Sequence, residues 1–288
     1  MSYVFRSNRR IVLGAMCVAA SLLMETSSSE AAATRFVRFE HQGKIAYGIV
    51  EGDKIQVIDG SPFGQWSKTD ESLSLANVKV LAPTQPTKVL ALALNYKSHA
   101  GNLKPHEHPQ VFYKLPSSLV ATGENIVFPP GASDVHYEAE LVIVIGKRAK
   151  NVSVEDAKNY VLGVTCGNDV SERIWQKKDV QWWRAKGSDT FGPCGPFIVT
   201  GIDYDNLDMK LRVNGEVHLE TNTREMIHNV AQTVSWISKH VTLEPGDLIF
   251  TGTAGITKPI KPGDVVEVEI EGVGILKNPV VGTKETST

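Results

Sequence analysis

The sequence predicts a β-rich α+β fold with a small β-rich domain at its N-terminal side. Three observations carry this. Short apolar runs bounded by Gly, Pro, Asn and Asp recur from residue 34 onward. Few segments show helical spacing. Strands and helices do not alternate in the regular way that builds a doubly wound sheet. The chain has 288 residues, a length that suits one large domain and a small one. With 42% hydrophobic and 22% charged residues it is not a mostly disordered chain. Its 30 Lys+Arg against 32 Asp+Glu leave a net charge of -2, which argues against nucleic-acid binding through a basic face. Its 3 cysteines exclude a disulfide-built mini-fold.

Residues 1–33 read as a secretory signal, within which Asn8-Arg9-Arg10-Ile11-Val12-Leu13 resembles a weak twin-arginine export motif. Arg6, Arg9 and Arg10 form a basic start. Ile11 to Met24 is apolar but short for a bilayer span, and Ala31-Ala32-Ala33 suits a signal peptidase. The expected localisation is therefore periplasmic or extracellular, with no stable membrane association after cleavage. Only Cys166 and Cys194 then remain, in a compartment that permits a disulfide without demanding one.

The region 34–85 is read as the small β domain. It holds the strands RFVRFE, KIAYGIV and KIQVI, turned at Gln42-Gly43 and Gly52-Asp53. From Pro62 to Pro86, Pro and Gly breakers make the chain irregular. Residues 86–285 form the second domain. Lys88–Leu94 and Tyr137–Gly146 read as strands. Ser153 is placed as the cap of a helix through Leu162, and Ser171 as the cap of another through Lys178. Leu207–Asn214 is a strand entering an Asn214-Gly215 turn. Met226, Val230, Val234 and Ile237 give a helix over 224–240. Glu244-Pro245-Gly246-Asp247 and Lys261-Pro262-Gly263-Asp264 are two similar turns, each leading into a strand.

The stretch Tyr137 to Ile145 bears most on function. Side chains alternate along a strand, so Glu138 and Glu140 share one face of a very apolar segment. Two carboxylates there repel and are costly to desolvate unless a cation sits between them. Hard oxygen donors suit Mg²⁺, or Mn²⁺ or Ca²⁺. The alternative is a solvent-exposed face, normal for an antiparallel sheet. Asp169 ends another apolar segment, as a third ligand or as a helix cap. His136 shares the face of Glu138, as a ligand or a flanking polar residue. Lys186 lies in a polar, glycine-containing loop, with Asp179 and Asp189 as ordinary ion-pair partners. His106 and His108 form a His-x-His pair without a third ligand.

The ordered set NYKSHA, FYK (Phe112 to Lys114), YEAEL, GNDVSER, RAKGSDTFGPCGP, NGE, TLEPGD, TGT and KPGDVVEVEIEGVG resembles the fumarylacetoacetate hydrolase superfamily from Lys88 to Val281. The resemblance implies a β-roll of mixed sheets, a variable N-terminal domain and a homodimer. It implies Glu138, Glu140 and Asp169 as metal ligands, with Mg²⁺ expected and Mn²⁺ or Ca²⁺ as substitutes. It implies His99 as the general base and Gln176 as a substrate contact. Lys186 would bind and polarise a small-molecule oxo-acid, and Thr253 would lie near its carboxylate.

The implied function is Mg²⁺-dependent C–C bond hydrolysis of 2,4-dioxo acids. The alternatives on the same site are an oxaloacetate-type decarboxylase and a 2-hydroxymuconate-type isomerase. An oxo-acid binding protein without turnover is a third reading. Asn102 stands where many members pair a glutamate with the histidine, which weakens water activation more than metal binding. Ala254 stands where proline is common, and Leu94 where arginine is.

Overall fold

Alternating apolar side chains and tight Gly-containing turns build an antiparallel meander at the start of the fold. Its strands are Thr34–His41, Lys44–Glu51, Lys54–Gly60 and Trp66–Ser74. Gln42 and Gly43 both have positive φ (50° and 77°), the twist that joins two adjacent strands without splaying them. The last strand was not expected between its Pro and Gly breakers. Its sequence, WSKTDESLS, is almost wholly polar because it is an edge strand facing solvent, so it carries no apolar alternation. The computed structural model describes residues 1–4 and 33–283. Apart from its two ends, the leader expected over residues 1–33 lies outside the described residues.

The meander joins the rest of the chain edge to edge. Thr34–His41 pairs antiparallel with Gly192–Thr200, setting Phe36 opposite Ile198. The sheet continues through Val161–Asn168, Ala139–Ile145, Leu248–Phe250, Val89–Ala93 and Gln110–Lys114, and counts 12 strands among the described residues. Leu248–Phe250 runs parallel to Val89–Ala93, while the other neighbours named here are antiparallel. A 5-stranded sheet built on Asp208–Val213, Glu216–Asn222, Val265–Ile270 and Gly274–Val281 packs against one face. The fold is thus β-rich α+β with mixed sheets.

Ala139–Ile145 is buried on both faces. Leu141, Ile143 and Ile145 share a core with Met209, Leu211, Val266 and Val268 of the smaller sheet. Val142 and Val144 point the other way, towards Val89, Ala91, Leu248 and Phe250. Glu140 is in phase with that second row, so the face is packed and not solvated. Gly167 pairs with Glu140 across the sheet, and a Cβ there would sit 2.3 Å from Val142 Cγ2. The strand therefore needs a glycine beside the carboxylate.

Three helices differ from expectation. Over 153–162 there is only a 3₁₀ turn, Ala157–Tyr160. Val161 and Leu162 instead begin the strand Val161–Asn168, whose β-branched Val161, Val164 and Thr165 favour extension. The segment expected from Ser171 is the helix Arg173–Lys178, capped by Glu172, which accepts from Trp175 N–H. The amphipathic helix is shorter than 224–240. It runs Val230–His240 behind a 3₁₀ turn, and Asn229 and Gln232 form a capping box. No helix among the described residues is long and apolar enough to cross a membrane. Cys166 and Cys194 are buried free thiols, and burial pushes both up to about 12.

The two Pro-Gly-Asp turns share one device. Asp247 accepts the N–H of Glu244 at 2.7 Å, and Asp264 accepts that of Lys261 at 2.9 Å. Asp247 also accepts from Thr87 N–H, Thr87 Oγ1, Lys88 N–H and Lys88 Nζ, which pins the entry of Val89–Ala93 to the strand beside it. Asp247→Ala removes a buried charge that holds all of these donors. It is expected to cost about 3 kcal/mol, roughly 6–12 °C of Tm at this size, read by thermal melting.

Candidate active site

Register brings the carboxylates together. Glu138 immediately precedes Ala139–Ile145. Ala139 pairs with Asn168, whose side chain accepts from Glu138 N–H at 2.9 Å. Asp169 is the next residue, and its N–H donates to Glu138 C=O at 2.9 Å. Glu138, Glu140 and Asp169 are all buried, and one carboxylate oxygen from each lies within 4.8 Å of the others.

Three cations answer these three anions. Lys186 Nζ donates to Glu138 Oε2 at 2.5 Å and to Asp169 Oδ2 at 2.7 Å. Its position on the short helix Trp183–Gly187 replaces the loop expected from sequence. Asp179, the ordinary partner considered for Lys186, is taken by Arg184. Arg173 donates to Glu138 Oε1, Thr257 Oγ1 and Gln176 Oε1. Lys114, fully buried, donates to Asp169 Oδ1 at 2.7 Å and to the carbonyls of Lys186 and Phe191.

Sequence reasoning gave Lys114 and Arg173 no role. Both lie inside matched motifs, and Arg173 is one helical turn before Gln176, a spacing that puts the two on one face.

The charges are unevenly shared. Burial works to raise the Glu138 carboxyl, but Lys186, Arg173 and His99 outweigh it and hold it below the usual carboxylate range. Glu140 is pushed well above that range by burial and then by Asp169 and Glu138. Gly252 N–H, at 2.7 Å, is the one hydrogen bond Glu140 receives among the described residues. Burial opposes the charge of Lys186, yet Asp169 and Glu138 keep the ammonium above its ordinary value. In Lys114 burial wins and the value falls.

His99 sits on the short helix Lys97–Ala100 above this cluster. Its Nδ1 lies 2.7 Å from Gly255 C=O, and its Nε2 lies 3.8 Å from Glu138 Oε1. A carbonyl only accepts, so Nδ1 carries a proton, and in the neutral ring the lone pair is on Nε2. Gly255 N–H donates back to Ser98 Oγ, completing a two-point strap. Asn102 is exposed, and Glu107 lies 3.8 Å from His108 at the surface. No carboxylate from that loop serves His99. The segment is anchored through Asn95, which bonds to Thr251 C=O and to His228 N–H and C=O.

Gly252 has φ 91°, and a Cβ would meet Asn95 Cβ at 2.9 Å, so the turn carrying Thr253 needs glycine. Thr253 Oγ1 is buried with no hydrogen-bond partner among the described residues and lines the same cavity as His99, Glu138, Glu140, Gln176 and Lys186. That cavity is about 590 Å³. His136 lies apart, held by Asp134 and Thr257. His108 stacks on Trp236, and His106 C=O lies 3.2 Å from His228 Nε2, so this pair anchors the loop and does not join the carboxylates.

The donor set fits a hard divalent cation. All three donors are carboxylates, they converge, and each oxygen has more than one lone-pair direction, so the bonds from Lys186 and Lys114 do not exhaust them. Burial and then repulsion from Asp169 and Glu138 raise Glu140, and a bound cation would relieve both.

Residues 88–281 match the fumarylacetoacetate (FAA) hydrolase C-terminal family. The chain belongs to the fumarylacetoacetate hydrolase family. Residues 34–83 match a further family described as Rv2993c-like, N-terminal. The chain is 42% identical to the mitochondrial oxaloacetate tautomerase fahd2 of Xenopus laevis, over 73% of this chain and 70% of that one. The crystal structure of 2-hydroxyhepta-2,4-diene-1,7-dioate isomerase from Mycobacterium marinum superposes with TM-score 0.82 at 42% identity, covering 88% of this chain and 100% of that one. Maleylpyruvate hydrolase from Sphingobium sp. SYK-6, solved with manganese (II) and pyruvate, superposes with TM-score 0.73 at 30% identity, covering 87% and 100%. Fumarylacetoacetate hydrolase relatives of this chain are thus enzymes with tautomerase, isomerase and hydrolase activities.

Mg²⁺ or Mn²⁺ is expected to raise Tm reversibly, with EDTA undoing the shift. At a hundredfold excess over Kd the gain is about 2.7 kcal/mol. Glu140→Gln and Asp169→Asn are each expected to abolish most of the shift in the same melting assay.

Proposed function

We propose that this protein enolises small 2-oxo acids at a divalent-metal site formed by Glu138, Glu140 and Asp169, with Mg²⁺ as the resident ion. One observation carries the reading. The His99 imidazole is oriented by a backbone carbonyl so that Nε2, the lone-pair nitrogen of the neutral ring, faces the carboxylate cluster. A divalent cation bound there would supply Lewis-acid polarisation of the oxo group.

The chain's own residues do the rest. Thr253 Oγ1, unpartnered and buried, donates to the substrate carboxylate. Lys186 places positive charge where negative charge develops on the oxo oxygen. His99 Nε2 takes the proton from the carbon beside the oxo group and returns it at the same or a neighbouring carbon. Arg173 holds Gln176 and Glu138 in place through both ends of its guanidinium.

Keto–enol tautomerisation or isomerisation needs only this one base. The tautomerase and isomerase relatives support that reading, as does the fact that Asn102 is not a carboxylate and Glu107 faces His108 at the surface. C–C hydrolysis of a 2,4-dioxo acid is the second reading. The cavity favours it, because about 590 Å³ holds both a dioxo acid and a water beside Nε2.

The test is enol-to-keto conversion of 2-oxo acids, followed by loss of enol absorbance and by deuterium exchange at the carbon beside the oxo group. Pyruvate release from acetylpyruvate is followed in parallel. His99→Gln is expected to slow exchange by about 10²–10⁴-fold with Tm unchanged within a few degrees. Exchange that survives both EDTA and His99→Gln would refute the reading. Pyruvate release at a rate matching exchange would move the assignment to hydrolysis.

A further inference from the structure

We propose that Lys114 is a positioning residue of this site: its buried ammonium fixes Asp169 and the backbone of Lys186 for enolisation, and lowers the affinity for the divalent ion. This rests on the function proposed above. Lys114 ends the strand Gln110–Lys114, where the alternation runs against hydrophobicity. Tyr113 is 62% exposed and Lys114 only 1%. A lysine is almost never buried so completely unless it is paired. Its Nζ meets three acceptors: Asp169 Oδ1 at 2.7 Å, Phe191 C=O at 2.9 Å and Lys186 C=O. A neutral amine has only two N–H donors, so three acceptors call for the three of an ammonium.

The three bonds join the parts whose spacing matters. Asp169 is held between two ammonium groups, Lys114 on Oδ1 and Lys186 on Oδ2. Phe191 C=O also accepts Val170 N–H at 3.1 Å, so the segment after Lys186 is tied to the residue that follows Asp169. Gly187 lets the end of the Trp183–Gly187 helix close on the residue after Lys114, because a Cβ there would lie 3.2 Å from Leu115 Cγ. Lys114 stands behind Asp169 and does not line the cavity, so it acts on substrate only through the groups it holds.

Charge supplies the second half of the argument. Three buried carboxylates face Lys114, Lys186 and Arg173, so a bound divalent ion leaves two positive charges in excess. The carboxylate and the enolate oxygen of a 2-oxo acid bring two negative ones. Lys114 therefore repels the ion before substrate arrives and helps to balance the enolate once it forms. A site without this ammonium would hold the ion more tightly and the enolate less well. A purely structural lysine has the opposite signature, because a loosened set of carboxylates holds an ion more weakly.

The experiment compares the protein with its Lys114→Met variant. The Kd for Mn²⁺ is read from the electron paramagnetic resonance signal of the free ion, and deuterium exchange into pyruvate is followed at saturating Mn²⁺. Lys114→Met is expected to lower that Kd at least about tenfold and to slow the saturated exchange about 10²-fold. Lys114→Gln keeps amide donors without the charge, is expected to move both in the same directions, and serves if Lys114→Met does not fold. Weaker or unchanged Mn²⁺ binding overturns the proposal, as does exchange at the unsubstituted rate. Failure of both variants to fold makes Lys114 a structural residue and overturns it too. A protein that binds Mn²⁺ but exchanges nothing refutes the enolisation reading alone, and a lowered Kd in Lys114→Met would then still uphold the effect on the ion.

Discussion

Burying Glu138, Glu140 and Asp169 within a few ångströms of one another is the constraint around which the rest of the structure is arranged. Left alone, three such carboxylates would protonate or force the strands apart. The chain answers with three cations brought from three separate places. Lys114 comes from the end of a strand, Arg173 from a short helix, and Lys186 from the next helix. The match in number is incomplete in space. Glu138 and Asp169 take all three cations, while Glu140 has one backbone N–H and a raised pKa. The residual repulsion at Glu140 is what makes a divalent cation the natural complement.

The sheet makes this affordable. Ala139–Ile145 is covered on both faces, so its ends are held rigidly and the carboxylate positions follow from strand register. Asn168 fixes the backbone of Glu138, Gly167 admits Val142 and Phe250 beside Glu140, and Gly252 brings an N–H to its oxygen. His99 approaches from the other side on a segment tied down by Asn95 and by the Ser98–Gly255 strap. His99 and the carboxylates are thus set by separate parts of the chain that meet only in the folded state.

Much of this was legible in the sequence. Period-two alternation places Glu138 and Glu140 on one face, and Asn-Asp ending an apolar run marks Asp169. What alternation could not decide was whether that face was packed or wet. The answer depends on Val89–Ala93 and Leu248–Phe250, strands remote in sequence. The helix expected after Ser153 fails for a similar reason. A good cap signal is outweighed by Val161 and Leu162 joining the central sheet. The polar edge strand Trp66–Ser74 has no apolar pattern to read. Lys114 looks like a surface residue after an apolar run, and only tertiary packing turns it inward onto Asp169. The anchoring of His99 by a backbone carbonyl leaves no residue-type signal at all.

The central claim is that the three carboxylates bind one divalent ion while Lys186 stays beside them. The most direct measurement is anomalous diffraction from crystals of the protein grown with Mn²⁺. The account predicts a single strong peak within bonding distance of Glu138, Glu140 and Asp169, with Lys186 still hydrogen-bonded to at least one of these carboxylates. A peak elsewhere, or an empty triad still bridged by Lys186 at saturating Mn²⁺, would contradict it.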